Sequence, residues 1–182
     1  MTNRRILPLL LTLLAVAFVG LWAWIGLKSP PVSEPAAIIT TPARWQRIDA
    51  GQFSLYAPAG TRLRKVRGAD SVYGDIIGPN TCLRFNVGTG VGILADKYPF
   101  RDDSQSEVVV DRRRATVRKA VLSEAEQAHW FGDCGAPLYI GLYLPRVLPD
   151  GAGIAIEGTA QNEDVRDQIE TIFRSIRFAR TR

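Results

Sequence analysis

Asn162–Phe178 reads NEDVRDQIETIFRSIRF, and its spacing decides how the rest of the chain is arranged. Val165, Ile169, Ile172, Phe173 and Ile176 recur at steps of four, three, one and three, the apolar stripe of a helix lying on a sheet. Asn162 is a good N-cap, and Glu163 and Asp164 suit the positive end of the helix dipole. A helix over 163–174 is predicted, with Ser175–Phe178 turning extended behind it.

A helix with one apolar stripe needs a sheet to cover, and the preceding residues change to a period of two. Leu138–Leu144 and Gly153–Ala160 are rich enough in apolar residues to be central strands, with turn chemistry supplied by Pro145, Pro149, Asp150 and Gly151. Glu107–Val110 and Ala115–Leu122 form a hairpin around Asp111–Arg114. Ser71–Ile77 and Thr81–Val87 form another around Gly78-Pro79-Asn80, and Trp45–Asp49 and Phe53–Ala57 a third. In Thr81–Val87, Leu83, Phe85 and Val87 share one face, which puts Cys82, Arg84 and Asn86 on the other. Residues 88–105, with Gly88, Gly90, Gly92 and Pro99, read as a long mobile connection, and 123–136 as a polar insertion holding His129, Trp130 and Cys134. Such loops are where binding surfaces tend to lie.

Ahead of this domain, Ile6–Leu27 is 22 residues without a charge. As a helix it reaches about 33 Å, enough for a hydrocarbon core of about 30 Å. Arg4 and Arg5 precede it and Lys28 follows, which keeps residues 1–5 cytoplasmic and sends the rest outward; Trp22 and Trp24 suit the outer headgroup zone. A cleaved signal peptide is the rival reading, with Ala15-Val16-Ala17 as the cleavage motif, but cutting there leaves a ten-residue apolar tail, Phe18–Leu27. Residues 28–44 hold Pro30, Pro31, Pro35 and Pro42 and read as a polyproline II spacer, about 45 Å long over 15 residues. The expected organisation is thus a cytoplasmic terminus, a signal anchor over 6–27, a linker over 28–44 and a periplasmic α+β domain over 45–182 at the bacterial inner membrane.

The formal charge of +5 is misleading. Arg4, Arg5 and Lys28 supply three of the 23 Lys and Arg, and all 18 Asp and Glu lie beyond Lys28, so residues 29–182 carry only +2. That is too weak to argue for a nucleic acid. Cys82 and Cys134 are the only cysteines, both in the exported part. A disulfide is the first reading, worth about 3–4 kcal/mol by loop closure, and two buried thiols the second. Two distant cysteines and one histidine are too few for a metal centre, and no cofactor motif is present; Gly88-Thr89-Gly90-Val91-Gly92 lacks the spacing of a nucleotide loop.

Phe53–Gly60 (FSLYAPAG), Leu83–Gly88 (LRFNVG), the central hairpin and Ile169–Phe178 (IETIFRSIRF) together resemble the PsbP-like, or DcrB-like, α/β sandwich of bacterial envelope proteins, over residues 45–180. The resemblance implies one mainly antiparallel sheet with the C-terminal helix packed on it. It also implies a non-enzymatic binding, chaperone-like or assembly role, and it carries over no functional residue.

Candidate chemistry is sparse. His129 lies five residues before Cys134, the only pairing suggestive of a thiol-dependent or hydrolytic enzyme, and a disulfide would consume its nucleophile. Arg112, Arg113 and Arg114 could clamp carboxylates or phosphates, although three consecutive residues project to different sides. Arg62, Arg64, Lys65 and Arg67 make a second basic cluster. The expected function is a membrane-tethered binding or accessory protein with no catalytic residue, recognising a protein or cell-wall-associated partner through 88–105 and 123–136. One form of it is a toxin neutraliser.

Overall fold

The computed structural model describes residues 42–68 and 71–179. The anchor segment 6–27 and most of the linker lie outside them; among the described residues no helix is long and apolar enough to cross a membrane.

Ten strands and two helices form the domain: β1 (Trp45–Asp49), β2 (Phe53–Pro58), β3 (Arg62–Arg67), β4 (Ser71–Gly78), β5 (Thr81–Gly88), β6 (Arg101–Val110), β7 (Arg113–Val121), helix α1 (Glu124–Phe131), β8 (Leu138–Leu144), β9 (Gly153–Ala160), helix α2 (Glu163–Arg174) and β10 (Arg177–Phe178). Seven strands make one antiparallel sheet in the order β3-β4-β5-β9-β8-β7-β6. Hence the fold is α+β, as the alternation of periods predicts. The single sheet expected from sequence is accompanied by a second one of three strands, β1-β2-β10.

Helix α2 has the predicted bounds, and Asn162 caps it by accepting a 3.0 Å hydrogen bond from the Val165 N–H. Ile169, Ile172 and Phe173 are fully buried against the sheet with Leu83, Phe85, Ile140, Leu142, Ile154 and Ile156. Each such side chain contributes about 1.5–3 kcal/mol of hydrophobic stabilisation. The small sheet closes the same core: Phe53 meets Phe85 edge-to-face at 5.5 Å, as aromatic quadrupoles favour. The buried Ser175 hydroxyl donates to the Ile172 carbonyl at 2.6 Å and accepts from the Tyr56 N–H at 2.9 Å, which ties the helix end to β2.

Three sequence expectations are corrected. Arg62–Arg67 is not merely a basic cluster but the edge strand β3. An edge strand needs few inward apolar residues and tolerates charge, so its pattern was too polar to read. The connection ends at Phe100 rather than residue 105. Arg101–Gln105 belongs to β6, where the ladder with β7 outweighs the polar composition, with a bulge at which Asp102 has φ 48°. The insertion contains α1. Its start is a capping box in which Ser123 and Glu126 satisfy each other's backbone N–H groups, and the spacing Ser-x-x-Glu was the signal for it.

Candidate functional site

The face of the seven-stranded sheet turned away from α2 carries a second, smaller core, built by the two segments singled out from sequence. Val91, Ile93, Ala95 and Phe100 of the connection and Phe131 of α1 pack on Tyr139, Ala120 and Ala155 of the sheet. The connection is therefore folded down on the sheet, in place of the mobile loop expected.

What holds it there is a partly buried carboxylate. Glu157, in the middle of β9, accepts hydrogen bonds of 2.8 Å from the Tyr139 hydroxyl and of 2.8 Å from the Leu94 N–H, so one side chain joins sheet to connection. Its cross-strand partner is Gly141. A Cβ there would lie 2.4 Å from the Tyr139 hydroxyl oxygen, so the absence of a side chain is what lets the Tyr139 ring lie along β8 and reach Glu157. Burial pushes the Glu157 carboxyl above its usual range, with the Leu94 N–H and the Tyr139 hydroxyl opposing the shift. Burial likewise raises Tyr139, reinforced by the Glu157 charge. Sequence reasoning overlooked this residue; the signal was a lone charge in the apolar strand GIAIEGTA. At the rim Arg118 pairs with Asp103 of β6 and, at 3.2 Å, with Asp96 of the connection. The Asp103 hydrogen bond holds its guanidinium pKa above the usual value, against the cost of burial.

Helix α1 is fastened beside the connection. Cys82 and Cys134 are bonded, with Cα atoms 5.9 Å apart, which selects the disulfide over two thiols. Arg84 donates to the Trp130 carbonyl at 3.2 Å, and the Thr159 hydroxyl to that of Cys134. These ties seat the end of α1 over β5. There the Trp130 ring meets Tyr98 of the connection at 4.6 Å and His129 edge-on at 4.4 Å, and both neighbours are exposed.

The structure thus brings His129 and Trp130 together with Tyr98, which sequence reasoning did not single out. It separates them from the arginines, which lie at the far end of β7. Arg112 sits with Asp111 in the two-residue turn, at φ 66° and 46°, conformations suited to a tight hairpin. Arg113 lies over the Phe178 ring at 4.3 Å, and Arg114 is exposed with Glu107 at 3.9 Å. Asp111 accepts from the Phe178 N–H at 2.9 Å, so this tip fastens β10. The His129–Cys134 dyad lacks its thiol, because the Cys134 sulfur is already bonded. No family model matches the chain, and a search of the curated proteins finds no match.

Proposed function

We propose that this chain is a membrane-tethered binding or accessory protein of PsbP-like architecture. In this reading residues 6–27 anchor it in the bacterial inner membrane, 28–44 hold the domain off the surface, and the domain faces the periplasm. It recognises a protein or cell-wall-associated partner there, and neutralisation of an envelope-acting toxin is one form of such a role. The observation that carries the reading is the meeting of Tyr98 and Trp130 at 4.6 Å, since it joins the connection and α1 into one aromatic surface on the sheet. Tyr98 is exposed and Trp130 half-buried, and Tyr and Trp supply large contact area at low entropic cost. The disulfide agrees with an oxidising compartment.

The test is covalent cross-linking of the full-length chain in cells, comparing wild type with Tyr98→Ala/Trp130→Ala. A partner recovered in stoichiometric yield with wild type, and reduced at least about tenfold with the variant, is expected for loss of two central contacts. Equal recovery from both, or no partner from either, refutes the proposal.

A further inference from the structure

Outward from α1, no other element among the described residues covers the same sheet face. On it β4 presents Tyr73, Asp75 and Ile77, opposite Asn86, Arg84 and Cys82 of β5, while β3 presents Arg62 and Arg64 opposite Ile77 and Asp75. Tyr73 is 45% exposed, Ile77 44% and Tyr98 41%. Only one other large hydrophobic among the described residues is as open, and Ile77 lies opposite Cys82, whose disulfide partner Cys134 follows Trp130 by four residues. The bridge and the Arg84–Trp130 bond raise the end of α1 above this floor, and the result is a step: β3 and β4 below, the Trp130 and Tyr98 rings above.

Charge at the step is unbalanced. Arg62, Arg64 and Arg84 stand on the floor against Asp75, which is shared between Arg64 and, at 3.9 Å, Arg84; Arg84 also lies opposite Glu157, whose carboxyl Lys97 faces as well. Tyr, Trp and Arg are the residue types that dominate binding energy at protein interfaces. A second copy seated face to face would set arginine against arginine, which opposes a symmetric pair through this surface.

Resting on the binding role above, we propose that the step is the docking surface for an acidic protein segment that also carries an apolar side chain. The acids pair with Arg62 and Arg64, and the apolar group lies on Tyr73 and Ile77 against the Trp130 ring. The chemistry selects a peptide over a lipid surface because the cations are interleaved with apolar side chains along a ledge one or two strands wide.

The full-length chain in detergent is used to select from a displayed library of random 12-residue peptides. Recovered sequences are expected to be enriched in Asp and Glu around an aromatic or aliphatic residue. The synthesised consensus should lose affinity as salt rises, and about tenfold with Arg62→Glu or, independently, Ile77→Ser, both exposed positions whose folding is checked by circular dichroism. Selected peptides without acidic enrichment that still depend on Trp130 overturn the acidic partner and leave the binding role standing. An absence of any peptide sensitive to Arg62, Ile77 or Trp130 overturns both. Binding to phosphatidylglycerol vesicles, but not phosphatidylcholine vesicles, that disappears with Arg62→Glu overturns the protein partner in favour of a membrane surface.

Discussion

Removing the Cys82–Cys134 bridge tests whether the second face is held chiefly by a constraint on the unfolded chain. The cysteines are 52 residues apart in sequence, and closing a loop of that length lowers the entropy of the unfolded state by an amount worth about 4 kcal/mol at 25 °C. The folded state should change little, because the Arg84–Trp130 and Thr159–Cys134 hydrogen bonds and the burial of Phe131 remain. Cys82→Ser/Cys134→Ser is therefore expected to fold to the same circular dichroism spectrum, to lose about 4 kcal/mol in urea unfolding, and to melt roughly 12 °C lower for a domain of this size. The urea dependence should steepen slightly, since the unbridged chain exposes more surface when unfolded. A loss below about 1 kcal/mol would refute the reasoning. Loss of the native spectrum before any denaturant is added would show instead that the bridge supports the folded face directly.

Gly141→Ala places a methyl group 2.4 Å from the Tyr139 hydroxyl, so the ring must move and its bond to Glu157 break. We expect a loss of about 2–4 kcal/mol by urea unfolding, from overpacking plus a buried polar group left unpaired; a loss under 0.5 kcal/mol would contradict this packing. Glu157→Gln keeps an acceptor for Tyr139 or Leu94 and removes the titration. Because burial raises the folded-state pKa of Glu157 above its unfolded value, its contribution is fully present below the ordinary carboxylate pKa and is lost as pH rises through the folded value. Wild type should thus lose stability relative to Glu157→Gln on going from about pH 4 to neutrality. A stability difference that does not change over that range would sink the assignment.

Local signals made much of the fold legible. The step pattern of Val165, Ile169, Ile172 and Phe173 specifies an amphipathic helix because a helix of 3.6 residues per turn repeats its face at those intervals. The alternation in Leu83, Phe85 and Val87 similarly specifies which side of β5 is buried, and so puts Cys82 on the opposite face. Strands whose own side chains do not set their conformation stayed hidden. β3 and the first half of β6 lie at the sheet edges, where one neighbour's backbone ladder suffices and polar residues are tolerated.

At the candidate site, the sequence by itself determined that a connection after Val87, drawn too long at 88–105, and the 123–136 insertion interrupt the strands, and that the two cysteines were available to pair. Only the tertiary structure decided that these segments fold down on one sheet face, that Tyr98 meets Trp130, and that Arg112–Arg114 serve a different end of the domain. The physical reason is range. Periodicity and capping act over three or four residues and are written in neighbouring letters. The contacts of Glu157 with Leu94, of Cys82 with Cys134 and of Arg84 with Trp130 span 46 to 63 residues and depend on how the strands are ordered in the sheet.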